Sequence, residues 1–271
     1  MTFLAVKLVL VPLLIAAVTI AGERLGPRVA GALTGLPVVA GPVALFIAVE
    51  QGAAFAARAA TATLAGELSL AAFCVLYAVA ALRTPWWISV AVGWAGFAAS
   101  TLALDALDPA PLAAAAMAAA TPAVIAALAP RPLLPARSGA VSRTELGVRM
   151  GAGVALVVAL TGVAHALGPR LSGLLTVFPV ATTILAVFSH RNQGAPFAVH
   201  LLRGLGAGLY SLTAFFATVA LTLERLGTAR GFTAAAVAAL ATQAVVLRLL
   251  RRRARPLDRT AIATTPPAPP R

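Results

Sequence analysis

Apolar residues run through this chain in blocks of about 20, the length an α-helix needs to cross the hydrocarbon core of a bilayer. The blocks fall near 3–21, 31–49, 57–82, 86–105, 111–129, 147–166, 172–189, 197–223 and 231–250 and predict nine helices. The breaks carry turn-forming or polar residues: Gly26-Pro27, Arg83-Thr84-Pro85, Asp108-Pro109, Gly168-Pro169 and Glu224-Arg225. Trp86 and Trp87 open the fourth block, where an interfacial anchor is expected. The short alternating segments of a transmembrane β-barrel are missing from the sequence.

Composition sharpens this into a class. Of 271 residues, 61% are hydrophobic and only 11% charged, with a mean hydropathy of +0.95. Soluble domains carry about 25% charged residues, so the expected fold class is an all-α integral membrane protein. The apolar run from Thr2 to Ala21 is too long for a signal-peptide core and predicts the first span. Abundant Ala and Arg suggest a GC-rich bacterial source and hence a bacterial inner membrane. The net charge of +13 does not predict nucleic-acid binding, because the arginines are scattered over loops and a C-terminal tail and Lys7 is the only lysine. Cys74 is the only cysteine, so no intramolecular disulfide forms, and the sequence has no metal-ligand spacing. No cofactor is expected.

The charges also predict orientation. With the tail that starts at Arg251-Arg252-Arg253 in the cytoplasm and nine alternating spans, 16 basic residues fall inside and 5 outside. That bias obeys the positive-inside rule and predicts N-out and C-in. The expected organisation is 1–130 as a first unit of five helices, 131–146 as a basic linker and 147–250 as a second unit of four. Residues 251–271 form an Arg- and Pro-rich tail expected to be disordered.

The two units share a sequence. Residues 25–73 align with 167–215 without a gap at an offset of 142, and 22 of the 49 pairs are identical. The matches include Gly26-Pro27-Arg28 with Gly168-Pro169-Arg170, Thr34 with Thr176, Pro37 with Pro179, and Gln51-Gly52 with Gln193-Gly194. Alanine bias cannot place Gly, Pro, Arg and Gln in register. Five spans before the linker turn the second copy over, so inverted-topology repeats are expected, as in many secondary transporters.

Each copy holds a Thr-x-x-Pro segment within an apolar block: Thr34 to Pro37 and Thr176 to Pro179. Proline inside a helix removes a hydrogen bond and displaces the carbonyl four residues back. Pro37 is expected to free the Leu33 carbonyl and Pro179 that of Leu175, and Pro42 to break the first copy further. Exposed backbone at membrane depth must be buried in protein or line a wet cavity. Paired broken helices are expected to mark a substrate site, with Thr182 and Thr183 adding hydroxyls in the second copy; the structural alternative is a tolerated proline kink that only shapes packing. Glu67, in the middle of the third block, is a candidate coupling carboxylate, because intramembrane acids face a cavity or a partner; the structural alternative is a protonated acid hydrogen-bonded to a neighbouring helix. Arg28 and Arg170 are candidates for steering an anion, with interfacial snorkelling as the structural alternative. Arg58, His200 and Arg203 flank helices where they could hold a phosphate or carboxylate or simply anchor helix ends. Catalytic motifs are lacking, and an enzyme is not expected.

The stretch Ser172-Gly173-Leu174-Leu175-Thr176-Val177-Phe178-Pro179, followed by Gly208-Leu209-Tyr210-Ser211-Leu212, resembles the small GlpM-type bacterial inner-membrane proteins. The resemblance implies a duplicated version of a small helical membrane protein, with a link to envelope polysaccharide production. Leu36 departs from it, standing where the phenylalanine is expected. The expected function is a secondary transporter or permease for a small solute, anionic solutes and proton coupling being among the candidates. The alternative is a non-catalytic membrane subunit or lipid-linked-intermediate flippase supporting envelope assembly. Expected partners are the lipid bilayer, a small-molecule solute, and a second copy or an envelope-assembly protein.

Overall fold

The structure, a computed structural model, describes residues 2–107, 109–132, 141–175 and 178–263; the side chains of residues 2–4, 6–7, 160–175 and 251–263 are outside that description. The described residues form nine α-helices and no strand. These are α1 (Thr2–Leu25), α2 (Pro27–Thr34), α3 (Ala40–Gln51), α4 (Ala53–Ala81), α5 (Trp86–Leu107), α6 (Pro111–Leu128), α7 (Arg143–Leu175), α8 (Val180–Gln193) and α9 (Ala195–Ala263). Five helices among the described residues are long and apolar enough to cross a membrane, within α1, α4, α5, α6 and α9. At ~1.5 Å per residue, the 29 residues of α4 extend about 44 Å, beyond the ~30 Å hydrocarbon thickness.

Exposed positions fit that environment. Leu112 is 74% exposed, Leu102 61% and Leu240 63%, on three different helices. Apolar side chains displayed so widely are unfavourable in water and neutral in lipid. The structure is thus compatible with a multi-pass membrane protein.

Local chemistry explains most helix ends. Gly26 takes φ 85°, a left-handed value that costs glycine little, and Pro27 opens α2 where no amide hydrogen is needed. Gly52 and Gly194 end α3 and α8 at φ 87° and 90°. Their amides donate to Ala48 and His190 carbonyls at 3.1 and 3.2 Å. Gly227, at φ 75° and ψ 169°, interrupts α9.

Packing centres on α4 and α9, which lie against each other and against α6; α4 also carries α5. Ile15, Phe73, Tyr77, Leu185, Leu202 and Leu209 belong to one fully buried cluster. Leu64, Ala118, Phe216, Val219 and Leu223 belong to a second. Helix α2 meets α9 at the closest crossing. A Cβ on Gly31 would strike the Leu201 carbonyl, one on Gly35 the Gly208 backbone, one on Gly204 the Arg28 backbone and one on Gly208 the Ala32 carbonyl. Two Gly-x-x-x-Gly stretches thus face each other, Gly31/Gly35 on Gly204/Gly208. In lipid, where helices gain no hydrophobic drive to associate, such close van der Waals contact holds them together.

Several sequence expectations are corrected. Gly168-Pro169 does not end a helix; the backbone of α7 runs through it, since proline's φ is itself helical and the helix loses only one bond there. Pro42 does not break its segment, because it falls in the first turn of α3, where amides have no partner to lose. The late break sits at Gly227 rather than Glu224-Arg225, since the glycine alone tolerates the required φ. Helix α9 runs on to Ala263, so residues 251–263 of the expected disordered tail are helical; residues 264–271 lie outside the described residues. Leu, Arg and Ala, which dominate 248–254, are good helix formers.

Candidate functional site

The break in the first copy lies where the prolines predict it. Helix α2 stops at Thr34 and α3 starts at Ala40. Thr34 Oγ1 donates back to the Gly31 carbonyl, a local bond that competes with the helical ladder. The Leu33 carbonyl, expected to be free, accepts the Leu36 amide at 3.2 Å. It is Ala32 that receives help from another helix: Gln243 Nε2, buried on α9, donates to its carbonyl at 3.0 Å. Across the gap the Val38 amide bonds to the Leu36 carbonyl and the Gly41 amide to Pro37, both at 2.8 Å.

The second copy repeats these bonds at the same offset of 142. Val180 donates to Phe178 and Thr183 to Pro179, again at 2.8 Å each. Pro179 is the N-cap of α8 at φ −77° and ψ 59°, and Thr182 and Thr183 are buried in its first turn. Thr176 lies outside the described residues, as does the side chain of Arg170.

The two breaks have different surroundings. In the first, Gly35 abuts Gly208, and a Cβ on Gly41 would sit 3.3 Å from the Phe215 ring, both on α9. In the second, the Phe178 ring stands edge-on to Trp94 and Phe97 of α5, 5.4 Å from each. Trp94 Nε1 also donates to Thr183 Oγ1 at 3.2 Å. Farther along α8, His190 meets Tyr77 of α4, with the phenol oxygen 3.4 Å from Nδ1. Leu33 and Val39 from one break and Phe178 and Val180 from the other pack on the same buried cluster. A separate small cavity lies between α1, α7, α8 and α9, lined by Thr19, Arg149, Ser189, Gln193, Phe197 and Leu201.

Glu67 is fully buried on α4. Its partner is Thr213 of α9, whose hydroxyl oxygen lies 2.6 Å from Oε2 and 2.9 Å from the Leu209 carbonyl oxygen. One hydroxyl has one hydrogen. Thr213 therefore donates to Glu67 when the carboxylate is ionised. When Glu67 carries a proton, it donates to Thr213, which turns to Leu209. Both states are hydrogen-bonded, and Oε1 faces no protein partner in either. Among the described residues, Glu67 bonds to neither broken segment.

Arg28 is exposed at the start of α2, its backbone against Gly204. The sequence did not single out Arg149, yet it is buried, bonds Glu145 at 2.5 Å and lies 5.4 Å from the Phe188 ring centre. Thr213, Trp94 and Gln243 were also missed, since a polar residue in an apolar helix does not announce which helix it faces. Only the Glu145-x-x-x-Arg149 spacing carried a readable local signal. No group of three or more His, Cys, Asp or Glu that could hold a metal occurs among the described residues. No family model, curated protein or solved structure matches the chain.

Proposed function

We propose that this chain is a secondary transporter or permease for a small solute, built from two inverted repeats. The observation that carries the reading is the pair of helix breaks, with the same two backbone bonds 142 residues apart: Val38 to Leu36 with Gly41 to Pro37, and Val180 to Phe178 with Thr183 to Pro179. Element ends agree with it. Helices α3 and α8 stop at Gln51 and Gln193, α4 and α9 start at Ala53 and Ala195, and the bend at Gly227 is the mate of Pro85, after which α5 begins. Five crossings precede the linker if α2 with α3 counts as one. An odd number before the linker turns the second copy over.

In this reading the broken segments at Thr34–Pro37 and Pro179–Thr183 bind the solute, with Thr176 completing the second. Arg28 and Arg170 attract an anion on opposite faces, and Glu67 carries the coupling proton, its charged and neutral forms each keeping a hydrogen bond with Thr213. The test is flux in proteoliposomes against a panel of small carboxylates and phosphates, with and without a pH gradient. The expected result is gradient-driven uptake of one class, with Glu67→Gln uncoupling it. Unchanged coupling in Glu67→Gln removes that role, and no flux of any tested class removes the transport reading for those solutes.

A further inference from the structure

Three arginines gather at the end of the bundle where α2 starts and α6 stops. Arg203 is half-buried on α9. Its guanidinium donates to the Ala129 carbonyl and, at 3.1 Å, to that of Ala126, and reaches Pro130 at 3.5 Å. It therefore closes the C-terminus of α6 and is held in place. Arg131 follows Pro130 directly, and both it and Arg28 lie within electrostatic reach of Arg203. Arg28 belongs here because Gly204, next to Arg203, lets the α2 backbone approach without a side chain between them. His200, one turn before Gly204, feels both Arg28 and Arg203, and its Nδ1 is buried with no protein partner.

Among the described residues, no salt bridge joins a carboxylate to these arginines. Glu23, the nearest acid to Arg28 along the chain, accepts the Val141 amide. The Arg149–Glu145 pair lies on α7. Three uncompensated guanidinium groups repel one another, more strongly where the surroundings are partly apolar. Snorkelling would spread them into water; here Arg203 is fixed by carbonyls and Gly204 draws Arg28 in. The repeat does not reproduce the arrangement, because Arg58 and Thr61 stand where the second copy has His200 and Arg203.

We infer that Arg28, Arg131, Arg203 and His200 form a binding site for a phosphate group at the end of the bundle that the charge bias places in the cytoplasm. The exposed guanidinium forks of Arg28 and Arg131 match phosphate oxygens in pairs; Arg203, its terminal nitrogens engaged by carbonyls, adds positive charge, and His200 adds a ring nitrogen. Two sources present that chemistry: the headgroup of an anionic phospholipid and a free phosphate. The site stands on binding alone and needs no transport.

The experiment is native mass spectrometry of the detergent-purified full chain titrated with phosphatidylglycerol, alone and against inorganic phosphate. The expected result is one retained lipid per chain, with affinity lowered at least tenfold in Arg28→Ala/Arg131→Ala. Both arginines are exposed, so that variant should fold, which circular dichroism checks. Arg28→Lys/Arg131→Lys keeps the charge and is expected to retain part of the binding, while Arg225→Ala/Arg230→Ala, elsewhere in the chain, retains all of it. Displacement of the lipid by millimolar inorganic phosphate assigns a free-phosphate site; retention assigns a headgroup site. Equal binding by wild type and Arg28→Ala/Arg131→Ala, or no binding of either probe by wild type, overturns the inference. A chain that binds phosphate but moves no solute keeps this site and loses the transport reading.

Discussion

Glu67 shows what one residue can and cannot tell. An acid inside an apolar block was visible in the sequence because its burial is costly wherever it points. Its partner was not, since Thr213 lies 146 positions away on another helix. Thr213→Val removes the one hydrogen bond that the carboxyl makes among the described residues and is expected to lower stability by about 1 kcal/mol, a typical size for a bond between membrane helices. Thr213→Ser keeps the hydroxyl and should behave as wild type; thermal unfolding in detergent reads both. If Thr213→Val melts with wild type, the pairing contributes nothing to stability. The same limit applies to Gln243. The Ala32 carbonyl accepts the Gly35 amide at the helix end and has room for a second donor, but which donor arrives depends on how α9 folds back.

At the scale of elements, the glycines separate two kinds of constraint. Gly208 and Gly31 sit where α2 and α9 nearly touch, and a methyl group on either meets backbone that cannot move aside. Gly208→Ala is expected to destabilise by roughly 2–4 kcal/mol through forced separation of the helices. Gly151, inside α7, has open space where its Cβ would go. Gly151→Ala is expected to stabilise by about 0.5–1 kcal/mol through helix propensity alone. Thermal melts of the two variants should therefore move in opposite directions. A second matched pair is Gly52→Ala and Gly194→Ala. Both residues hold a left-handed φ at the same junction, so each is expected to lose about 1–2 kcal/mol, and by similar amounts. Clearly unequal losses would mean that the junctions bear different loads. The turn chemistry of these elements was legible because it depends on neighbours in sequence. Gly168-Pro169 was misleading, since the same dipeptide that ends α1 at Gly26 is carried through by α7.

For the whole molecule, the proposed inversion makes the sharpest prediction. With Cys74 replaced by alanine, Arg28→Cys and Arg170→Cys in right-side-out vesicles should react with a membrane-impermeant maleimide from opposite faces. Only the position-170 cysteine is expected to label from outside. Labelling of both from one side removes the inversion, and with it the symmetric site.

What the amino-acid order determined by itself was the run of apolar helices, the internal sequence match at an offset of 142, the breaks at Pro37 and Pro179, and the acid at Glu67. Each follows from local properties: the length of an apolar run, identity at a fixed offset, a ring that removes an amide hydrogen, a charge placed among alkyl groups. Only the tertiary structure decided that Gly31 and Gly35 seat on Gly204 and Gly208, that Thr213 meets Glu67, that aromatic rings wall the second break and an α9 glycine the first, and that Arg28, Arg131 and Arg203 converge. The reason is physical. Nearly every helix here is apolar on all sides, so no stripe of polarity marks the face it buries, and in lipid the choice of neighbour rests on close fit and scattered polar contacts that no single segment contains.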